Sequence, residues 1–260
     1  MRAGALALAA SLVASLVLVL VLPLAAHAAA PTGALAAARK QVQAADYSAK
    51  GRLVRVDGDG KRTSYGVSIK AHWFPGVLRV LLEVNSPARA RVHVLLEMRP
   101  GGPNTIQIAY PGDAKPAVLP FSKWTEGPLG EGFSDEDFLE EPYFWPGQRD
   151  LGEMKFGARL CDLVLSTPGE ADRTHFASVK SWLDQKSGVP VYVEKTMKGS
   201  GSVKEFTSFG LRRTDGVWSA SQVEEKTRGR AGSTLLIIDR GTARAHLHMK
   251  DFNPSQLTHF

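Results

Sequence analysis

The feature that most constrains this chain is an alternation of apolar and polar residues, repeated in short segments that end at Gly, Pro or Asp. Successive side chains of a β-strand point to opposite faces, so this period of two predicts strands with one apolar face. In residues 63–73 one face carries Val67, Ile69, Ala71 and Trp73, and the other face carries Ser68, Lys70 and His72. Further strands are predicted at residues 53–56, 78–84, 92–98 and 106–110. The short turns between them favour an antiparallel sheet with one face covered and the other in water.

The second half of the chain returns to this pattern after a different middle segment. Strands are predicted at residues 159–167, 176–183, 191–197, 203–211, 217–225 and 234–240, with a last short strand in the tail 246–260. Residues 33–45 are Ala-rich and amphipathic, which predicts one helix. Residues 111–146 are rich in Pro and Gly and predict a long, partly helical insertion across the sheet. The expected fold class is mainly β, of the α+β type.

Within that insertion, residues 132–139 carry a helix-start signal. Ser134 followed by Asp137 fits a capping box, and Phe133 and Phe138 occupy the two positions of a hydrophobic staple. Pro142 should end the helix soon afterwards. A helix this short is not stable alone in water, so its aromatic side is expected to pack against the sheet.

Residues 1–28 are predicted to be a secretory signal peptide. An almost unbroken apolar run at residues 6–22 follows Arg2, and residues 26–28 (Ala-His-Ala) fit a cleavage site. A retained membrane anchor is the alternative, because the run approaches the length that spans a bilayer. Cleavage would leave residues 29–260, which we expect to form a single exported domain.

Cysteine content and charge narrow the class further. Cys161 is the only cysteine, so an internal disulfide is excluded, and its apolar strand favours a buried, unreactive thiol. The net charge of +6 comes from scattered Lys and Arg rather than from a basic block interleaved with aromatic residues. Nucleic acid is therefore not an expected partner, whereas weak attraction to anionic lipid head groups or an acidic partner is.

Three patterns resemble metal or catalytic sites but have simpler explanations. The Asp57-Gly-Asp-Gly segment lacks the later ligands of a calcium loop and predicts a hairpin turn. Residues 135–137 (Asp-Glu-Asp) place negative charge at a helix start, where capping explains them. His246 and His248 point the same way on a predicted strand, yet no Cys or carboxylate accompanies them. We expect no metal and no cofactor.

Sequence signatures of hydrolases are missing from the chain. It contains neither Gly-x-Ser-x-Gly nor His-Glu-x-x-His. A triad assembled from distant residues stays open, but we expect no catalytic residue.

Several short stretches, taken in order, resemble one known family. They are residues 132–138 (Gly-Phe-Ser-Asp-Glu-Asp-Phe), 163–168, 179–184, 188–194, 217–218, 234–239 and the closing Phe252-x-Pro254-x-x-Leu257. This series resembles the LolA/LolB-like outer-membrane lipoprotein-sorting proteins, in particular the exported LolA-like branch. The resemblance implies an incomplete antiparallel β-barrel of about eleven strands, with short helices covering the mouth of an apolar cavity.

The resemblance also implies a function. It indicates a periplasmic carrier that binds lipoprotein acyl chains or other lipids and passes them towards the outer membrane, without catalysis or a cofactor. An inner-membrane transporter and an outer-membrane acceptor are the candidate protein partners. A lipid-sensing regulatory or scaffold module that partners such a transporter is the alternative, and a secreted hydrolase is a third hypothesis.

The candidate ligand-binding residues are the large apolar side chains of the predicted strands and of the capped turn. They are Val67, Ile69, Trp73, Val80, Leu82, Val92, Val94, Phe133, Phe138, Trp182, Val193 and Phe206. Strand aromatics such as Trp73, Trp182 and Phe206 pack equally well into a solid core. The two readings differ in whether the sheet leaves room between its side chains.

Overall fold

A computed structural model describes residues 33–127 and 132–260 of the chain. The expected signal peptide at residues 1–28 lies outside this range. The predicted N-terminal helix is confirmed as α1 (Gly33–Gln43). Its buried Leu35 packs with Tyr143, Val164 and Leu183, so the helix lies against one end of the sheet.

Most of the described chain is β-structure. The strands are β1 (Asp46–Val56), β2 (Arg62–Phe74), β3 (Val77–Ser86), β4 (Val92–Met98), β5 (Thr105–Ala109), β6 (Ala117–Val118), β7 (Gly147–Phe156), β8 (Arg159–Thr167), β9 (Phe176–Asp184), β10 (Pro190–Met197), β11 (Val203–Phe209), β12 (Arg212–Thr214), β13 (Val217–Ser219), β14 (Gln222–Thr227) and β15 (Ser233–Ala243). Single 3₁₀ turns, rather than α-helices, make up most of the remaining regular structure.

Thirteen of the described strands form one antiparallel sheet in the order β6-β5-β4-β3-β2-β1-β15-β14-β11-β10-β9-β8-β7. Strands β1 and β15 are the first and last strands of this sheet in chain order. They pair with each other in the middle of the sheet. The two ends, β6 and β7, do not pair with each other, so the sheet is not closed into a barrel. The remaining strands, β12 and β13, form a separate hairpin. The mainly β fold class is confirmed, with thirteen strands in the sheet instead of about eleven.

Three sequence predictions were wrong in detail. Strand β7 was missed because its side chains are almost all exposed, and no apolar alternation marks an edge strand of this kind. The strand predicted at residues 217–225 is divided between β13 and β14. Between them the chain turns, and the Ser221 N–H donates a hydrogen bond to the Phe209 carbonyl at 3.1 Å. The tail has 3₁₀ turns at Met249–Phe252 and Pro254–Thr258 in place of a strand.

The sheet has two faces that differ in character. The inner face carries the main apolar cluster, which includes Val67, Leu82 and Val94. The outer face carries polar residues such as Ser68 and Lys70, together with two smaller apolar patches. One patch lies under the C-terminal tail, and the other surrounds Cys161, whose predicted burial is confirmed.

Candidate functional site

The structure brings eleven of the twelve candidate ligand-binding residues to the inner face. Nine are buried there, at most 8% exposed, and Trp73 and Phe138 pack against them partly exposed. The exception is Trp182, which lies on the outer face with Cys161 and Leu163. Its ring meets Tyr192 edge-on with the centroids 4.8 Å apart. Trp182 is therefore separated from the other eleven by the thickness of the sheet.

The described residues of the insertion predicted at residues 111–146 pack across this inner face, as the sequence predicts. We call its described part, residues 111–127 and 132–146, the cover segment. Trp124, Phe133, Leu139 and Trp145 of the cover segment belong to the same apolar cluster as the strands and are at most 7% exposed. The apolar surface of the sheet is thus in contact with the protein's own side chains.

The capped turn within the cover segment is a 3₁₀ turn, Asp135–Phe138, which we call the acidic turn. The Asp137 carboxylate accepts hydrogen bonds from the Ser134 backbone N–H at 2.8 Å and from its hydroxyl at 2.7 Å. The Phe133 and Phe138 rings lie 5.7 Å apart between centroids, which confirms the predicted hydrophobic staple. Phe133 also contacts Phe206 of β11 at 5.6 Å, so the staple holds the turn against the sheet.

Asp137 does more than cap the turn, because it forms ion pairs with two strands. Its side chain is fully buried and contacts the ammonium group of Lys204 on β11 and that of Lys195 on β10, the latter at 3.2 Å. Burial alone would raise its pKa, but the two lysine charges outweigh that effect and lower the pKa of Asp137 to about 2. The carboxylate therefore stays ionised and ties the cover segment to the sheet.

Glu136 anchors the same turn in another direction. It is 2% exposed, and its carboxylate accepts from the Thr174 hydroxyl at 2.5 Å and from the His175 backbone N–H at 2.9 Å. The His175 ring nitrogen Nδ1 lies 2.8 Å from the other Glu136 oxygen. These contacts fix the turn to the segment before β9.

Asp135 is the member of the acidic turn that lacks such compensation. It is 2% exposed, and its Oδ1 has no hydrogen-bond partner. Burial first, and the negative charges of Asp137 and Glu126 second, raise the pKa of Asp135 to about 7. The acidic turn thus holds one firmly ionised carboxyl and one that titrates near neutral pH.

The basic partners of the acidic turn were not predicted from the sequence. Lys195 and Lys204 face each other directly across β10 and β11. Like charges at opposed positions of a sheet are destabilising, so such a pair indicates an anion between them. The short turn between β10 and β11 sets this register. The opposed pair Lys195 and Lys204 could therefore have been predicted from the sequence once the two strands were paired.

The other chemical candidates are placed as follows. His246 and His248 lie outside any strand, contrary to the sequence prediction. Within residues 33–127 and 132–260, no group of three or more His, Cys, Asp or Glu side chains is arranged to hold a metal ion. The Asp57 segment forms the predicted hairpin turn, in which the Asp57 carboxylate accepts from the Lys61 N–H at 2.8 Å.

With the fold and the inner face described, comparisons with known proteins identify the family. A family model described as an uncharacterized protein and marked only as "-like" matches residues 79–259, which is more than half of the chain. The chain belongs to this family. Its structure confirms the resemblance to the LolA-like lipoprotein-sorting proteins. A comparison with the curated proteins gives no match.

Solved structures show how far the LolA-like fold extends. An outer membrane lipoprotein-sorting protein domain from Vibrio parahaemolyticus is 18% identical, with a TM-score of 0.75 over 86% of this chain and 97% of that one. A DUF1329 family protein from Desulfovibrio piger is 15% identical, with the same TM-score and coverage. A LolA superfamily protein from Nitrosomonas europaea is 14% identical, with a TM-score of 0.60 over 85% of this chain and 97% of that one. At these identities the likeness establishes the LolA-like fold.

The LolA-like fold found here includes one α-helix among the described residues. None of the helices in the described ranges has the length and apolar character needed to cross a membrane.

Proposed function

We propose that this protein carries lipoprotein acyl chains or other lipids through the periplasm, with the apolar inner face as the binding surface. The observation that carries the proposal is a continuous apolar sheet face that is covered by an irregular segment instead of by a second sheet or a helical layer. The proposal is supported by the similarity of this fold to solved structures that are named as a lipoprotein-sorting protein domain and a LolA superfamily protein. In this proposal residues 1–28 direct export, and residues 29–260 form one binding domain.

The physical requirement for such a carrier is a hydrocarbon surface that can replace a membrane. Releasing an acyl chain into water loses about 0.8 kcal/mol for each methylene group. Contacts with Val, Ile and Leu side chains on the inner face replace most of this loss, so transfer from membrane to protein is close to neutral. The protein supplies a binding surface in this proposal, and no catalytic step is needed.

Binding requires the cover segment to move, because its side chains occupy the inner face. The segment contains only single 3₁₀ turns and the two-residue strand β6, so few backbone hydrogen bonds resist its displacement. Its attachments are instead side-chain contacts, chiefly those of Asp137 with Lys195 and of Glu136 with His175. An acyl chain would take the place of Trp124, Phe133, Leu139 and Trp145 on the strands.

A photoreactive fatty acid tests the proposal directly. Purified, delipidated protein is mixed with a diazirine fatty acid, illuminated, digested and analysed by mass spectrometry. We expect label on inner-face residues of β3, β4 and β10, and unlabelled fatty acid should compete for it. Label confined to the outer face, or none on folded protein, would contradict the carrier proposal. The latter result would favour the alternative of a regulatory or scaffold module, which binds a membrane partner without cargo.

A further inference from the structure

The outer face contains a wide, open depression of about 700 Å³ near the middle of the sheet. Its floor is formed by small residues of β1 and β2, namely Ser48, Gly51, Gly66 and Ser68. Gly51 is required there, because a Cβ at this position would lie 2.0 Å from the Ile237 carbonyl oxygen. The rim, in contrast, carries long charged and polar side chains: Lys50, Lys70, Glu83, Asn85, Asp239 and Arg240.

A β-bulge shapes this rim. The register between β1 and β15 shifts between Lys50 and Gly51, where Lys50 faces Arg240 and Gly51 faces Ile238. Consecutive residues of a regular strand point to opposite faces, but a bulge lets two neighbours share one face. Asp239 and Arg240 consequently both line the depression.

The charges on the rim are unbalanced. Arg52 holds Asp239 through two hydrogen bonds of 2.9 and 3.1 Å, which leaves that carboxylate neutralised. Lys50, Lys70 and Arg240 have no carboxylate within 4.0 Å among the residues that the structure describes. Glu83 is the other acidic group on the rim. Three cations without a carboxylate partner in the described part of the chain therefore surround an open, polar depression.

A comparison within the molecule shows what such an arrangement accepts. Lys195 and Lys204 are opposed across two strands of the inner face, and the carboxylate of Asp137 bridges them. Lys50 and Arg240 are opposed in the same way on the outer face. Because opposed like charges destabilise a sheet, this second pair gains stability when an anion lies between the two side chains.

We propose that the outer-face depression binds a phosphate group, held by Lys50, Lys70 and Arg240 with hydroxyl donors from Ser48 and Ser68. The Arg240 guanidinium suits two parallel hydrogen bonds to a phosphate, and the lysines add point charges. The phosphate belongs either to a soluble phosphate ester or inorganic phosphate, or to the head group of an anionic phospholipid. This site is on the opposite side of the sheet from the acyl-chain surface and does not depend on the proposed function.

The test compares a site variant with a charge-matched control. In the site variant, K50Q, K70Q and R240Q are combined. In the control, K61Q, K115Q and K155Q are combined, which removes three exposed lysines outside the depression. Inorganic phosphate binding is measured by isothermal titration calorimetry, and membrane binding by flotation with phosphatidylglycerol or phosphatidylcholine vesicles. Circular dichroism and thermal unfolding establish that each variant is folded.

We expect the site variant to lose about tenfold or more in affinity for the phosphate-bearing probe, with the control close to wild type. Loss of inorganic phosphate binding identifies a soluble phosphate as ligand. Loss confined to phosphatidylglycerol vesicles identifies a lipid head group.

E83Q should strengthen binding, because it removes the remaining unpaired negative charge on the rim. Equal losses in both triple variants, or wild-type protein that binds neither probe, would overturn the proposal. If the site variant fails to fold, K70Q alone and E83Q must still shift affinity in opposite directions.

Discussion

Asp135 shows how one buried carboxyl makes the stability of this fold depend on pH. Its pKa is raised from 3.8 to about 7, so the folded protein holds the proton more tightly than the unfolded chain does. Stability from this residue is fully present below about pH 4 and is lost as pH rises to 7. We predict that Asp135→Asn stabilises the protein by roughly 2–4 kcal/mol at pH 8, with the difference disappearing near pH 4. Urea unfolding across this range gives the measurement.

The comparison needs a control, because Glu141 is also buried and its pKa is likewise raised to about 7. The pKa values of Glu140 and Glu225 are raised by burial as well, so only the difference between wild type and variant isolates Asp135. Asp59→Asn, at an exposed turn position, accounts for the general effect of removing one negative charge. An Asp135→Asn difference that stays constant from pH 4 to pH 8 would mean that this carboxyl does not titrate as argued.

The cover segment and the sheet are elements whose contact can be weakened without changing the sheet itself. Phe133 is buried between Phe138 and Phe206, and Phe133→Ala should cost about 3–5 kcal/mol. Because those contacts hold the cover segment on the inner face, the variant should also take up a fluorescent fatty acid faster than wild type. Stopped-flow fluorescence with delipidated protein measures this rate.

Trp182→Ala provides the matched control for that experiment. Trp182 is as buried as Phe133, at 8% exposed against 7%, but it lies on the outer face. Its removal should lower stability by a similar amount and leave the uptake rate unchanged. If both variants accelerate uptake equally, general loosening of the fold is responsible and the cover segment has no gating role.

At the same scale, the sequence predicted elements well where burial imposes a period. Strand β2 was predicted nearly to its ends, because its inner-face side chains are apolar at every second position. Strand β8 was predicted with its observed bounds from a similar alternation, but its buried Cys161 and Leu163 lie on the outer face. Strand β7 has no buried residue and could not be found this way. The acidic turn was located from its capping box and staple. Its ion pairs were not, since they depend on which strands come together under it.

For the molecule as a whole, the sequence indicated an antiparallel sheet but not that both of its faces carry buried apolar residues. Leu81 and Leu95 break the apolar alternation, and they face each other across β3 and β4 on the outer face. Two apolar residues at positions expected to face water predict that another segment of the chain covers them. That prediction was not made from the sequence. The tail supplies that cover through Phe252 and Leu257. The expected tail strand was wrong because those residues must reach across the sheet and cannot extend it.

The tail is consequently a structural part of the molecule, which a graded truncation can test. Phe252 and Leu257 are at most 2% exposed, and the Leu257 carbonyl lies 2.9 Å from the buried His93 ring nitrogen Nδ1. Deleting residues 249–260 exposes the outer-face leucines and should lower the free energy of unfolding by on the order of 5 kcal/mol. Deleting only Phe260, which is 40% exposed and stacks on His93, should have a small effect. Thermal unfolding and dye binding to exposed apolar surface measure both changes. Equal stability of the two truncated proteins would show that the tail only rests on the sheet.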